Sequence, residues 1–461
     1  MEDFLANEST SRGNWNTKIG FILAAAGSAV GLGNIWRFPY VAGEGGGGLF
    51  VLIYLFFVIF ISVPYLYAEL SLGRYSQRNP FGAFKAITGN SAWKYIGGFF
   101  IVIGLIFLSY YSVVAGWAVG YIARDVIAAD MGFGEFIADW TRVIPLMFIF
   151  LVITAYVVTG GISQGIERWV KFLMPVLVVL MFIIIIRSVT LEGAGEGIAF
   201  YLSPDFSAIS GGVVMTAMGQ AFFSLSLGMG AMITYGSYLK KSENLVTSGG
   251  YVAFFDTFIA IMAGFMIFPA VFAMGMDPQE GATLVFSVLP QVFIEMPLGG
   301  FVGILFFLLL SIGALTSSIS LLEIVVSFFI DEKKWSRLKS VISVAAIAFL
   351  IGIPSALSQG AVGWLSDMSW LFGEAGILGL GPNNFLDVMD YFFGSLFLAI
   401  GAFLVCLYVG WVWSADEAVK EIQQGSNFTG ALMKYWVFMI RFICPIIIFA
   451  SLIFMVYEQI V

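Results

Sequence analysis

Long apolar runs separated by short polar connections dominate the chain. A helix rising ~1.5 Å per residue needs about 20 predominantly apolar residues to cross ~30 Å of hydrocarbon. Eleven runs reach that length, at about 17–42, 49–75, 95–124, 143–160, 166–189, 208–239, 245–275, 299–330, 339–356, 385–413 and 435–457. The pattern predicts an all-α integral membrane protein in which 1–461 form a single transmembrane domain. No connection could hold a soluble domain; the longest, 357–384, has room for a short helix or a lid. The opening MEDFLANESTSR is acidic and polar where a signal peptide would be basic, so the first run is expected to be a retained span.

Two runs are interrupted at matching places. The first reads AVGLG at 29–33 and the sixth reads SLSLGMG at 224–230. An offset of five runs reverses the direction of crossing, so the two would be counterparts in inverted halves, the arrangement of transporters that bind at mid-membrane. One such interruption says little, because glycine is common where membrane helices pack closely. The pair says more. Backbone that leaves helical form inside a bilayer must be paired by protein, water or ligand, so the breaks are expected to line a cavity. Helix N-termini there suit a carboxylate, and freed carbonyls suit a small cation.

Composition agrees: 60% of the 461 residues are hydrophobic and 11% charged, with mean hydropathy +0.97, where soluble domains are ~25% charged. Histidine is absent, and Cys406 and Cys444 fall in separate apolar runs, so a histidine triad, a zinc site and a disulfide framework are unsupported. With the N-terminus placed in the cytoplasm, all of the 21 Lys and Arg residues except Arg37, Arg124, Arg142, Arg187 and Arg441 fall on the inner side. That bias, with acidic outer loops at 124–140 and 191–200, follows the positive-inside rule and predicts a multi-pass protein of the plasma membrane. An ion channel fits poorly, since neither a charged ring nor a carbonyl-filter repeat is present. An intramembrane enzyme fits less well, with no assembled nucleophile and base. Nothing points to nucleic acid, and oligomeric state stays open.

The stretches GSAVGLGNIWRFPY (27–40), GQAFFSLSLGMGAMITYGSY (219–238) and LTSSIS (315–320), in this order, resemble the neurotransmitter:sodium symporter family in its bacterial amino-acid branch. The resemblance covers nearly the whole chain. It implies a leucine-transporter-like fold, with 1–189 and 208–413 as the two halves of a 5+5 inverted repeat and 435–457 as an extra helix; a twelfth span, present in many relatives, is not found. It also implies two sodium ions. One would be held by the Thr316 and Ser317 hydroxyls with the carbonyls of Gly27, Val30 and Gly313. The other would take the Ala29 carbonyl, Asn34, Ser224, Asp256 and the carboxylate of the substrate, which would couple the two ligands.

Asp256 departs from the family, many of whose members have asparagine there. The acid that chloride-independent bacterial relatives often carry one turn later is Ala260 here. Asp256, near Tyr54, Gln220 and Ser224, is therefore expected to supply the negative charge that others take from chloride, making transport chloride-independent; a proton-carrying role stays open. Monoamine carriers hold an aspartate where this chain has Gly31, so the substrate should bring its own carboxylate. The implied substrate wall is Ser28, Ala29, Leu32, Gly33, Phe107, Tyr111, Phe223, Ser224, Ser226, Met229, Ser317, Ser320 and Leu321. It is largely apolar, and flexible Met229 leaves room, so hydrophobic L-amino acids are expected, with aromatic ones admitted.

Arg37 with Asp390 would close the outer side, and Arg12 with Asp331, steadied by Tyr238, the inner side. Glu69 would brace the breaks, while Glu323 has no role assigned. In the fifth run, Gly165 and Pro175 weaken the inner half of the helix, and its opening would release sodium to the cytoplasm. The reading is a Na⁺-coupled symporter importing hydrophobic amino acids by alternating access, with the lipid bilayer, Na⁺ and the amino acid as its partners. The alternative is a non-transporting amino-acid sensor of the same fold.

Overall fold

The computed structural model describes residues 13–89, 91–124, 131–278, 285–286, 289–295, 298–373, 383–426 and 430–457. Among these residues, nine helices are long and apolar enough to cross a membrane, from Gly48–Ser76 to Ala431–Val456. A tenth crossing is the bent pair Lys18–Ala29 and Gly33–Glu44, whose halves meet at 53°. Where the sixth span is expected lie two short helices, Gly211–Ser224 and Ala231–Gly236, neither long enough to cross alone. The long connection 357–384 holds only the short turns Gly363–Ser366 and Ser369–Phe372 among its described residues.

Both interruptions fall where the glycines predict them. Lys18–Ala29 ends as Val30 swings to an extended conformation (φ −73°, ψ 103°), and the helix resumes at Gly33. The sixth segment stops at Ser224 and restarts at Ala231, passing through Ser226, Gly228 and Gly230 at φ of 52°, 78° and 79°. At Gly228 the left-handed turn also sets the backbone against Leu398, whose carbonyl any side chain there would strike. Buried Glu69 accepts from the Gly228 N–H at 3.0 Å and from the Tyr65 hydroxyl at 3.0 Å. A carboxylate of the second segment thus satisfies an amide freed by the break, as a dry interior requires.

The longest helix, Gly299–Lys333, packs against Lys94–Ile122 and the first segment and forms the wall facing the breaks. At the end that carries residue 13, buried Arg74 ties three elements together. Its Nε lies 2.7 Å from Glu421 Oε1, and its guanidinium also donates to the carbonyls of Glu243 (2.6 Å) and Glu421. Glu421 belongs to Ala415–Gln423, an amphipathic helix between the last two spans.

Candidate functional site

Between the breaks lies a cavity of about 30 Å³, room for a water molecule rather than a metabolite. Every expected wall residue lines it except Ser224, and Gly31 joins them. Its polar side has closed on itself: Ser28 Oγ donates to Ser320 Oγ at 2.7 Å, and Ser226 Oγ to the Ser28 carbonyl at 2.9 Å. The Phe107 ring stacks obliquely with Tyr111 and Phe223, at centroid distances of 5.7 and 6.1 Å, and these rings also line the floor of a second cavity. The Tyr111 hydroxyl accepts from the Leu32 N–H at 3.4 Å, so it stands at the start of the outer half-helix.

Ser224 sits beside this cavity in a buried polar cluster. Its Oγ donates to Asp256 Oδ2 at 2.7 Å, leaving the Tyr54 hydroxyl, 3.2 Å away, to donate to it. Asn34 Nδ2 donates to Asp256 Oδ1 at 2.7 Å and lies 3.0 Å from Ser224 Oγ. Gln220 reaches the same region through the Gly33 carbonyl, to which its Nε2 donates at 2.8 Å, while its Oε1 is buried without a hydrogen-bond partner among the described residues. Asp256 is fully buried, and among the described residues no Lys or Arg forms an ion pair with it. A carboxylate so placed has only neutral donors for company, which is costly unless a cation or a proton joins it. The Asn34 amide presents its nitrogen; turned over, it would present its oxygen.

On the opposite side, two hydroxyls of Gly299–Lys333 converge on the broken first segment. Thr316 Oγ1 donates to the Gly313 carbonyl at 2.9 Å and lies 3.3 Å from that of Val30; Ser317 Oγ lies 3.1 and 3.3 Å from the carbonyls of Ser28 and Val30. Gly27 permits this approach, since a methyl there would stand 3.3 Å from Thr316 Cβ and 3.2 Å from Met174 Sδ. Carbonyl and hydroxyl oxygens without a soft donor are the ligands that hard cations take.

Above the rings opens a vestibule of about 630 Å³, lined by Arg37, Tyr40, Glu44, Asp387 and Asp390 among others. Arg37 and Asp390 face this cavity without closing into an ion pair, and the guanidinium lies instead over the Phe223 ring, 4.7 Å from its centroid. The π-face offers the charge an alternative partner while the vestibule is open. On the opposite side Trp15 packs beneath the breaks, with a hollow of about 490 Å³ lined by Gly13, Tyr238 and Arg337 beyond it. Trp15 Nε1 donates to the Tyr235 carbonyl at 3.1 Å, and the Trp15 ring meets those of Tyr235 and Tyr238 edge-on. Asp331 accepts from Asn79 Nδ2 at 2.8 Å and from its N–H at 3.0 Å. Arg12, its expected partner, lies outside the described residues. The Tyr238 hydroxyl donates to Glu323 Oε1 at 2.6 Å, and Arg337 Nη2 lies 2.6 Å from Glu323 Oε2. Glu323, which sequence reasoning left without a role, thus joins the eighth and ninth segments on this side. Its only sequence signal was a carboxylate in a span, with Arg337 at the foot of the next.

In the fifth segment, Gly165 lies in the π-helical stretch Gly161–Glu167 and Pro175 inside Arg168–Val189. Gly165 packs directly on the Val157 carbonyl and the Gly160 backbone, leaving no room for a methyl. Glu167 accepts from the Asn16 N–H and the Thr17 hydroxyl, each at 2.7 Å, and clasps the start of the first segment.

A broken-helix bundle with a wide vestibule on one side of a buried polar site defines the class: a membrane transporter with its site between two interrupted helices. Comparison with known proteins agrees. The model of the sodium:neurotransmitter symporter family matches residues 12–131 and 132–460. An uncharacterized sodium-dependent transporter of Bacillus subtilis, YhdH, is 38% identical over 95% of this chain and 97% of its own. One from Haemophilus influenzae is 34% identical over 96% and 98%. The crystal structure of MhsT in complex with L-phenylalanine superposes with a TM-score of 0.85 at 42% identity, covering 96% of this chain and 99% of that one. The chain belongs to the sodium:neurotransmitter symporter family.

Proposed function

We propose that the protein imports hydrophobic L-amino acids, aromatic ones included, together with two Na⁺ ions and without chloride, by alternating access across the plasma membrane with its N-terminus in the cytoplasm. The observation that carries this reading is buried Asp256, facing Asn34 and Ser224 at the breaks with no Lys or Arg paired to it among the described residues. A Na⁺ ion there would meet the carboxylate, the Ala29 carbonyl, Ser224 and the substrate carboxylate. Each ligand then binds well only in the presence of the other, as linkage demands. The second Na⁺ would sit between Thr316, Ser317 and the carbonyls of Gly27, Val30 and Gly313. The amino-acid side chain would lie among Phe107, Phe223, Met229 and Leu321, after Ser28 and Ser226 give up their present contacts. MhsT, bound to L-phenylalanine in a similar fold, supports an aromatic ligand.

Alternating access would move the first, second, sixth and seventh segments against the rest, exchanging the halves 1–189 and 208–413 in role. Closing the vestibule would bring Arg37 to Asp390, and opening the other side would part Arg12 from Asp331 and Tyr238. A competition panel of the twenty amino acids against Na⁺-dependent ligand binding tests the substrate class. Leucine, methionine and the aromatics should compete, and a panel led by glycine or charged residues would overturn it.

Two further results are expected. Thr316→Val removes one hydroxyl ligand at nearly constant volume and should weaken Na⁺ binding about 10-fold to 100-fold, as for a lost hydrogen bond to a charge worth ~1.5–3 kcal/mol. Equilibrium ²²Na⁺ binding measures it. Pro175→Ala restores a backbone donor to the fifth helix and should slow turnover several-fold while leaving Na⁺ affinity within about twofold. Equal losses in both would count against a hinge. It is a cleaner variant than Gly165→Ala, which would also strain the contact with Val157.

A further inference from the structure

A further hollow, of about 470 Å³, lies at the end of the fifth segment nearest residue 13. Asn16, Ser163, Gln164, Glu167, Arg168, Lys171 and Phe172 form it. Its depth in the membrane can be read from the helix itself. Phe172, Val179, Phe182, Ile183 and Ile186 are exposed along the same segment, so that surface meets hydrocarbon. Polar Ser163, Gln164 and Arg168 lie on the other side of Phe172. The hollow therefore straddles the boundary between acyl chains and headgroups.

Its charges are uneven. Glu167 is buried and already accepts from Asn16, Thr17 and Lys171, the last at 2.6 Å. That acid is committed to the protein. Arg168 is exposed and forms no ion pair among the described residues. The hollow thus offers one unmatched guanidinium, one ammonium held in place, and hydroxyl and amide donors, beside an apolar surface long enough for an acyl chain. Arginine binds phosphate oxygens in two-point geometry, and basic hollows between membrane helices are suited to anionic headgroups.

We propose that this hollow is a binding site for the phosphate headgroup of an anionic phospholipid, with Arg168 as its principal contact, Lys171 and Ser163 beside it, and an acyl chain along Phe172 and Val179. A headgroup seated there would touch both the start of the first segment, at Asn16, and the π-helical turn of the fifth. Zwitterionic lipid fits less well, because its ammonium would face the same two cations. Soluble phosphate lacks the chain that the exposed face would cover.

Native mass spectrometry of the detergent-purified protein titrated with phosphatidylglycerol or phosphatidylcholine tests this. Phosphatidylglycerol should bind at least fivefold more tightly than phosphatidylcholine. Arg168→Gln should remove most of that preference, Arg168→Lys should retain part of it, and Lys434→Gln, a cation outside the hollow, should leave it unchanged. Glycerol phosphate at the same concentration should not compete. Unaltered phosphatidylglycerol binding by Arg168→Gln, equal binding of the two lipids, or full competition by glycerol phosphate would each overturn the proposal.

Discussion

Replacing Asp256 by asparagine is expected to weaken Na⁺-dependent amino-acid binding by at least two orders of magnitude when gluconate replaces chloride. The substitution keeps the volume, removes the charge, and turns one of the two acceptor oxygens, which receive from Asn34 and Ser224, into a donor. A unit charge about 4 Å from a monovalent cation contributes ~4 kcal/mol at an effective dielectric constant of 20, and among the described residues the side chains bonded to Asp256, Asn34 and Ser224, are neutral. Relaxation of Asn34 and Tyr54 reduces that figure without removing it. The wild type should transport equally in chloride and gluconate. If Asp256 stands in for an anion, the asparagine variant should regain part of its activity in chloride, an ion that the Tyr54, Gln220 and Ser224 donors would hold. Wild-type sodium affinity in gluconate for the variant would sink this part of the account.

Gly31→Ala should abolish measurable substrate binding while the protein still folds. A methyl group there would coincide with Ser317 Oγ and stand 2.9 Å from the Tyr111 hydroxyl. Ser317 contacts the carbonyls of Ser28 and Val30, so displacing it disturbs the proposed sodium ligands and the substrate wall together. The neighbouring flexible atoms can move in the empty protein, and its melting temperature should fall by only a few degrees. Affinity for the amino acid should fall at least 100-fold, read by scintillation proximity with a labelled ligand. Retained affinity would mean that the substrate does not occupy the space between the two breaks.

The breaks were legible because glycine clustering inside an apolar run is a local signal. Val30 turns extended and Gly228 left-handed where the sequence interrupts its own hydrophobic pattern. The wall residues followed because motifs of known order place them on facing helices. Pairings between distant side chains were less accessible. Arg74 and Glu421 lie 347 positions apart, and periodicity identifies a buried charge without naming its partner. Glu167 with Thr17, 150 positions apart, escaped for that reason. Arg37 with Asp390 presents the reverse case: motif order names the two as partners, and the structure places both on the vestibule with Arg37 over the Phe223 ring. Ser224, expected both in the substrate wall and at a sodium ion, lies beside Asp256 and off the cavity lining.

The central claim is that two interrupted helices hold an amino acid and Na⁺ in one site that opens alternately to either side. The most direct measurement is uptake of labelled L-phenylalanine into proteoliposomes. Accumulation above the external concentration under an inward Na⁺ gradient, lost when external Na⁺ is replaced by K⁺, is the predicted result. Binding without accumulation, as a sensor would give, or uptake indifferent to the gradient, would contradict it.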